Sequence, residues 1–320
     1  MASSNRDRAE FRVRVSPAPH PWPLVRFLIL AAILSAVAPA RADDFHTQMV
    51  KATFKLDNSK TAGTSFLLTR PAADKPGAVE WILIAAAHEF EEAPGDNALL
   101  MLRKRMADGS YVKIPQPLLL RKDGKLLWRK HPLADVAAMR ILPPAKDLEP
   151  PHLSVDLLAD DEAYTKYGIH PGDQVHSCGY PHLNESGDSG FPLVRMGSIS
   201  GYPLTPAKTV KSYFVDLNVF EGDSGSPLYL TENNRTIDGQ TQSGPVHVIL
   251  GVVVGQRFFN EDLKWVYGSM KLHQRMGFAV VAPAQFVREL LADLPPPSAV
   301  PEPRPAIPKT PAPAPPVPEK

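Results

Sequence analysis

The sequence predicts an all-β protein of two antiparallel β-barrels followed by a C-terminal helix. Short apolar runs separated by turn formers fill residues 48–142, and a second set of such runs follows a proline-rich segment at 142–152. Runs of this length and spacing indicate the strands of small barrels. The later run AQFVRELLADL has apolar residues at helical spacing, and Pro283 stands near its start. We therefore expect barrel one over about 43–146 and barrel two over about 152–294.

Barrel one is predicted from apolar runs of strand length. Val50, Ala52, Phe54 and Leu56 alternate with polar residues, as in a half-buried strand. Glycine, proline and aspartate punctuate the runs that follow. The further strands are expected at 63–69, 80–87, 97–105, 125–130 and 136–142, and those of barrel two at 173–180, 190–200, 212–218, 226–230, 248–255 and 277–281.

Length and composition describe a chain that folds. Its 320 residues are 43% hydrophobic and 22% charged, which is enough to bury a sizeable core. The formal net charge of +1 gives no electrostatic reason to expect nucleic acid as a partner. One cysteine, Cys178, excludes an internal disulfide framework and says little about the cellular compartment.

Residues 1–42 have the pattern of an export signal. Arginines precede the apolar run at 27–37, and the sequence Ala-Arg-Ala at 40–42 supplies a cleavage site. The run is shorter than the roughly 18–20 residues that cross a bilayer, which favours a cleaved signal and leaves an uncleaved anchor as the alternative. We expect the mature chain to begin near Asp43, to be periplasmic or secreted, and to keep no membrane span.

The stretch FEGDSGSPL at 220–228 predicts a reactive serine. Glycines flank Ser224, which indicates a tight turn with an exposed hydroxyl and backbone N–H groups free to face an oxyanion. A serine nucleophile needs a base and a group that orients the base. His88 ends the apolar run WILIAAAH and Asp135 opens the run DVAAMRI, so the chain order is His, Asp, Ser. That is one of the known orders of a catalytic triad.

The blocks AAAHEF, DVAAMRI and GDSGSPL resemble the three signature blocks of the trypsin-like (chymotrypsin-fold) serine peptidases, and of the disulfide-free bacterial branch in particular. The resemblance implies a serine endopeptidase without a cofactor that acts on protein or peptide substrates through an acyl-enzyme. Ser224 would be the nucleophile, His88 the base and Asp135 its orienting group. The backbone N–H groups of Gly222 and Ser224 would form the oxyanion hole. The alternative is a binding module on the same fold, non-catalytic or activated by a partner.

A second GDSG sequence stands at 187–190 and offers Ser189 as a rival nucleophile. Only one clear strand of barrel two precedes Ser189, whereas three precede Ser224. Phe191 is also bulky where the resembled family has a small residue, while Ser226 fits. We therefore expect Ser224 to be the nucleophile and residues 187–190 to form a polar loop.

The primary specificity pocket is predicted by resemblance alone. The residue six before the nucleophile, Asn218, would line its base, with Val254, Gly255 and Gln256 as walls and Gly277 nearby. Because the base carries no carboxylate, a small or apolar substrate side chain is expected rather than arginine or lysine. Asn218 as an ordinary turn residue stays the alternative.

Two departures from the resembled family concern activation. Its secreted digestive members become active when a new N-terminal amine pairs with the aspartate beside the nucleophile, here Asp223. This chain has no recognisable activation sequence, and Glu89 follows His88 where those members have a cysteine. A constitutively assembled or partner-regulated site is therefore expected.

Two other features receive simpler interpretations. His170, His176 and His182 lie around Cys178, but their spacing matches no common zinc pattern and no metal site is predicted. The tail at 295–320 is rich in proline and alanine, which indicates a disordered spacer. A ligand for a proline-recognising or cell-wall partner is the alternative for the tail.

Overall fold

The structure is a computed structural model that describes residues 43–73, 75–148 and 150–298. The predicted export signal and most of the proline-rich tail lie outside these ranges, and the predicted domain limits stay predictions.

The helices are α1 (Phe45–Ala52), α2 (Ala87–Glu91), α3 (Asp161–Lys166), α4 (Ala207–Val210) and α5 (Ala284–Leu290). The strands of the first half are β1 (Thr53–Asp57), β2 (Ala62–Pro71), β3 (Val79–Ala86), β4 (Asn97–Arg105), β5 (Tyr111–Leu119), β6 (Arg121–Lys122), β7 (Lys125–Leu126), β8 (Trp128–Lys130) and β9 (Val136–Ile141). Those of the second half are β10 (Gln174–Gly179), β11 (Leu193–Ile199), β12 (Tyr213–Asp216), β13 (Pro227–Glu232), β14 (Thr236–Ile237), β15 (Gln240–Thr241), β16 (Val246–Trp265) and β17 (Gly268–Pro283).

The first half forms a seven-stranded antiparallel sheet in the order β5-β4-β1-β2-β3-β9-β8. Its central strands are buried on both faces. Leu67 of β2 packs in one core with Phe54 and Trp128, while its neighbours Phe66 and Leu68 face a second core shared with the other half. Successive side chains of a strand point to opposite faces, so burial on both faces explains the continuous apolar sequence of β2 and β3.

Strand β5 is an edge strand that the sequence analysis did not predict. Pro115 and Pro117 interrupt its sequence, lying opposite Met101 and Leu99 of β4. Proline cannot donate a ladder hydrogen bond, and a sheet accommodates it at an edge. The position of β5 at one end of the strand order meets that requirement.

The N-terminal helix α1 replaces part of a predicted strand. Val50 and Ala52 were assigned to the strand that holds Phe54, but α1 continues through Ala52 and β1 begins at Thr53. The Asp44 side chain caps the helix by accepting from Thr47 N. The alternating pattern was ambiguous here, because a helix buries positions at three- and four-residue spacing.

The second half is a closed barrel of six strands in the order β10-β11-β12-β17-β16-β13. Helix α5 follows β17 and buries Phe286 and Val287 against the barrel core. A closed antiparallel barrel, a second antiparallel sheet and a C-terminal helix are consistent with the two-barrel trypsin-like fold. The predicted fold class is confirmed. No helix within the described ranges is long and apolar enough to cross a membrane.

Strands β16 and β17 extend well past the barrel. From the sequence, the first of these strands is expected to end at 255 and the second to begin at 277, whereas their pairing continues from Phe258 with Arg275 to Trp265 with Gly268. We call residues 258–275 the arm. Its side chains are mostly exposed.

Candidate active site

His88 and Asp135 form a hydrogen-bonded pair. His88 lies in α2, directly after β3, and Asp135 directly precedes β9, the neighbour of β3 in the sheet. Asp135 Oδ2 lies 2.5 Å from His88 Nδ1, and Asp135 Oδ1 accepts from the His88 backbone N–H at 3.0 Å. The Asp135 carbonyl also accepts from Ala87 N at 3.2 Å. One carboxylate therefore fixes both the ring and the backbone of the histidine.

The turn that carries Ser224 is held against the first sheet. The carbonyl of Ser224 accepts from Thr64 N at 2.8 Å, and Thr64 Oγ1 donates to the carbonyl of Gly222 at 2.6 Å. Gly225 has φ 91°, and a Cβ there would lie 1.9 Å from Thr64 O and 3.1 Å from Ala86 N. Only glycine fits such a conformation and approach. These contacts bring the half-buried Ser224 to the end of β3 from which His88 follows.

The two backbone N–H groups predicted for the oxyanion hole are unused. Within the described ranges, neither the Gly222 N–H nor the Ser224 N–H donates a hydrogen bond. Gly222 has φ 93°, and a Cβ there would lie 2.3 Å from the carbonyl of Tyr180. A glycine is again required, and both donors stay available to a ligand oxygen.

Glu89 occupies the far side of the His88 ring. Its Oε1 lies 3.4 Å from His88 Nε2, the nitrogen that a serine nucleophile would use. The Glu89 side chain is buried, and it lies over Gly63, where a Cβ would come within 2.5 Å of its carboxylate. Among the described residues, Ser224 Oγ makes no hydrogen bond, so His88 and Ser224 are not joined in this arrangement.

Two carboxylates around one imidazole change its protonation. Burial favours the neutral ring and lowers the pKa of His88, but the hydrogen bonds to Asp135 and Glu89 outweigh burial and raise the pKa to about 10. At neutral pH the raised pKa favours an imidazolium, which donates from Nδ1 to Asp135 and has the Glu89 carboxylate 3.4 Å from Nε2. An imidazolium cannot accept the proton of a serine hydroxyl.

Arg195 of β11 pairs with the aspartate beside the predicted nucleophile. Arg195 Nη2 lies 2.5 Å from Asp223 Oδ1, and Asp223 is almost fully buried. Burial raises the pKa of Asp223 above its ordinary value, against the opposing effect of the Arg195 charge. Arg195 Nη1 also donates to the carbonyl of Asn218 at 2.6 Å. One guanidinium thus ties the Ser224 turn to the residue predicted for the pocket base.

The residues predicted for the specificity pocket lie along one side of the barrel. Val254, Gly255 and Gln256 are half-buried on β16. Asn218 Oδ1 lies 3.3 Å from the position of a Cβ on Gly277, which brings these two residues together. The exposed Asn218 also lines an open cavity of about 410 Å³, whose other walls include Met196, Ser198 and Asp216 rather than the β16 residues.

The second GDSG sequence forms a surface loop. Ser189 Oγ donates to the carbonyl of Ser186 at 2.6 Å, and the carbonyl of Gly190 accepts from Arg103 and from the Tyr180 hydroxyl. None of these contacts involves His88 or Asp135. Ser189 lies on the side of β5, where Phe191 packs against Tyr111 at 4.9 Å between ring centroids.

The histidines around Cys178 separate into different environments. His176 packs against His46 and Tyr229, His182 packs against Phe220, and His170 is exposed. The Cys178 thiol is buried, and burial raises its pKa to about 12. Among the described residues, no group of three or more His, Cys, Asp or Glu side chains is arranged to hold a metal ion.

No protein-family model matches the chain, and no curated protein matches it. Among solved structures, the chain is similar to Rv3671c from M. tuberculosis H37Rv, in the inactive form of a serine-to-alanine mutant. The identity is 19%, the similarity covers 80% of this chain and 93% of that chain, and the TM-score is 0.38. At that TM-score the superposition carries no weight, and the fold assignment rests on the strand topology.

The sequence did not predict the roles of two residues in the site, Arg195 and Glu89. Arg195 lies in the alternating strand LVRMGSI, and nothing in that pattern singles it out as the partner of Asp223. Glu89 was noted only as a departure after His88. A glutamate between His88 and Phe90 gives no sign that it folds back onto its neighbour's ring, since adjacent residues of a helix do not face each other in general.

Proposed function

We propose that the protein is an exported serine endopeptidase with His88, Asp135 and Ser224 as its catalytic triad. The observation that carries the proposal is that the Asp135 carboxylate binds His88 at two points. Oδ2 lies 2.5 Å from Nδ1 of the ring, and Oδ1 accepts from the backbone N–H at 3.0 Å. A general base needs a fixed ring orientation and a fixed tautomer, and this carboxylate supplies both. The unused N–H groups of Gly222 and Ser224 support the same assignment.

The proposed reaction is acyl transfer in two steps. Ser224 Oγ attacks the peptide carbonyl carbon while its proton passes to Nε2 of neutral His88, and the resulting oxyanion accepts from the N–H groups of Gly222 and Ser224. Each donor stabilises the transition state by about 3 kcal/mol. The C–N bond then breaks and His88 returns the proton to the leaving amine. Water attacks the acyl-enzyme by the same route, with His88 again as base.

The proposed substrates are proteins or peptides outside the cytoplasm. Asn218, predicted for the pocket base, carries no charge, so it favours a small or apolar side chain before the scissile bond over a basic one. Export is proposed from the basic and apolar pattern of residues 1–42 and from the Ala-Arg-Ala sequence that ends it.

Labelling with a fluorophosphonate probe tests this function directly. We expect one adduct per chain at Ser224, mapped by mass spectrometry, and its loss in Ser224→Ala. Ser189→Ala is the matched control, because it removes the serine of the other GDSG sequence and leaves the site intact. Labelling that is lost with Ser189→Ala and kept with Ser224→Ala would reverse the assignment.

A second candidate function is a binding module on the same fold, non-catalytic or activated by a partner. The observation that favours it is Glu89 at 3.4 Å from His88 Nε2, where Ser224 Oγ would be needed. Labelling of Glu89→Gln separates the two candidates. Reaction of this variant at Ser224 identifies a peptidase restrained by Glu89, whereas a folded variant that stays inert at every pH supports a binding module.

A further inference from the structure

The arm presents an apolar face that the described part of the protein leaves uncovered. Residues directly opposite each other in a strand pair share a face, so the β16–β17 register assigns each side chain. One face is polar, with Asp262 opposite Lys271 and a hydrogen bond between His273 and Asn260. The other face carries Phe259, Leu263, Trp265, Met270 and Leu272, all exposed or half-exposed, and its two polar side chains, Glu261 and Gln274, are hydrogen-bonded to each other.

The apolar face ends in an unusual turn. Val266 and Tyr267 connect the strands and are 87% and 95% exposed, and Trp265 before them is 55% exposed. Hairpin turns normally use glycine, asparagine or aspartate, whose backbones suit them. A valine–tyrosine turn next to tryptophan contributes apolar surface to solvent instead. An isolated two-stranded ribbon is also marginally stable in water, so a partner that covers this face would stabilise the arm.

The charges near the tip select the kind of partner. Leu263 and Met270 lie opposite each other, and between them the tip contains one charged residue, Lys264, and no carboxylate. Lys271 and Asp262 lie opposite each other at the next position from the tip, and Glu261 follows Asp262 one residue farther away. Protein interfaces are depleted in lysine, whereas the interface of an anionic bilayer attracts lysine and accommodates tryptophan and tyrosine at the headgroups.

We propose that the arm is a membrane-surface anchor that inserts Trp265, Val266 and Tyr267 into the interface of a bilayer containing anionic lipids. Lys264 and Lys271 contact the lipid headgroups from either strand. Insertion stops where Glu261 and Asp262 reach the lipid surface. Glu261 is four residues from Trp265, which corresponds to about 13 Å along the strand. The proposal concerns a face that includes none of the predicted catalytic residues, so it holds whether or not the protein cleaves peptides.

Tryptophan fluorescence and vesicle co-sedimentation of the full chain test the anchor. Trp81 and Trp128 are buried in the fold and Trp265 is exposed. The fourth tryptophan, Trp22, is replaced in every protein tested by Trp22→Phe, so the shift in emission reports on Trp265 at the tip. We expect a blue shift and co-sedimentation with vesicles of phosphatidylcholine and phosphatidylglycerol in equal parts. With vesicles of phosphatidylcholine alone, we expect weaker binding.

Two arm variants separate the apolar and the electrostatic contributions. Trp265→Gln with Tyr267→Gln should weaken binding to the mixed vesicles by about tenfold or more. Lys264→Gln with Lys271→Gln should weaken it by about thirtyfold and remove the preference for anionic lipid. Tyr202→Gln is the matched control, because Tyr202 is an aromatic residue of similar exposure, 84%, outside the arm. Each variant carries the same N-terminal residues, so any binding by residues 1–42 is common to all of them.

Three results would overturn the proposal. The first is unchanged vesicle binding in both arm variants while their thermal unfolding matches that of the unsubstituted chain. The second is equal binding to both lipid compositions. The third is a dimer in solution that Trp265→Gln with Tyr267→Gln converts to monomer, which would identify a second copy of the chain as the occupant of the apolar face.

Discussion

Glu89 Oε1 lies 3.4 Å from Nε2 of His88, on the side of the ring opposite the bond to Asp135. The imidazole is therefore held between two carboxylates, one before a sheet strand and one from the next residue in the chain. In this arrangement the raised pKa favours the charged form of His88, and the Glu89 carboxylate lies beside the nitrogen needed by Ser224. The proposed peptidase is thus restrained by a residue inside its own site.

The first prediction concerns the pH dependence of that restraint. Because Glu89 helps to raise the pKa of His88 to about 10, probe labelling of Ser224 should be slow at neutral pH and increase as the pH approaches 10. Glu89→Gln should shift the profile to lower pH, with a gain in neutral-pH rate of about tenfold for each unit by which the pKa falls. Glu91→Gln is the control, since Glu91 pairs with Lys130 and does not contact His88. If Glu89→Gln and Glu91→Gln show the same dependence of labelling rate on pH, Glu89 does not restrain His88.

The same pKa makes a prediction for stability. Protonated His88 is favoured in the folded state, so its contribution is fully present below the ordinary pKa of 6.5 and is lost as the pH rises through about 10. Urea unfolding across this window should show a loss of stability that is smaller in His88→Gln. If the free energy of unfolding falls by the same amount in His88→Gln and in the unsubstituted chain, the loss of stability comes from groups other than His88.

The second site variant, Asp135→Asn, tests the orienting role. An amide keeps the shape of the side chain but no longer stabilises the imidazolium, and it can present an N–H to the ring and so favour the wrong tautomer. Labelling and peptide hydrolysis should fall by about 10⁴-fold. Circular dichroism should be unchanged. A loss of less than about tenfold would mean that Asp135 does not orient a catalytic base.

Arg195→Met should destabilise the barrel. It leaves the buried Asp223 without its cation, at an expected cost of about 3–5 kcal/mol in the free energy of unfolding, measured with urea. Asp223→Asn in the same chain should recover part of that loss, because the uncompensated charge is gone. The single variant should also lose labelling at Ser224, since the turn is no longer held. Additive effects of the two substitutions would show that the pair is not coupled.

The N-terminal helix should loosen in acid. Burial lowers the pKa of His176 and His247, which lie near His46 of α1, and His247 stacks on Phe45. A lowered pKa means that the neutral form is favoured in the fold, so stability is complete above about 6.5 and declines as the pH falls. His176→Gln should reduce the difference in unfolding free energy between about pH 8 and about pH 5. His273→Gln, on the arm, should leave it unchanged.

The sequence predicted the parts of the molecule in which local pattern and tertiary role agree. Strand β4 begins and ends where expected, because its nine residues pair along their length with β5. His88 and Asp135 were chosen at the junctions of apolar strands, and antiparallel pairing of β3 with β9 brings those junctions together. The turn at Ser224 followed from its glycines, whose positive φ values no other residue would adopt easily.

The features that the sequence did not predict depend on contacts between residues far apart in the chain. The pairing of Arg195 with Asp223 joins strand β11 of the closed barrel to the turn between β12 and β13, and no local pattern encodes it. The arm was missed because its turn, Val266–Tyr267, lacks the residues that mark hairpins. Strand β5 was missed because its prolines indicate a break, and only an edge position allows them.

Strand β16 continues from Val254, in the predicted pocket wall, to Trp265 at the tip of the arm, with two register shifts against β17 before Phe258. At about 3.3 Å per residue the distance is at most roughly 35 Å, since bulges bend a strand. If the tip is anchored in the membrane, the length of β16 would fix the distance between the lipid surface and the predicted pocket. The substrates within its reach would then be chosen by how far they project from the membrane as well as by the side chains they offer.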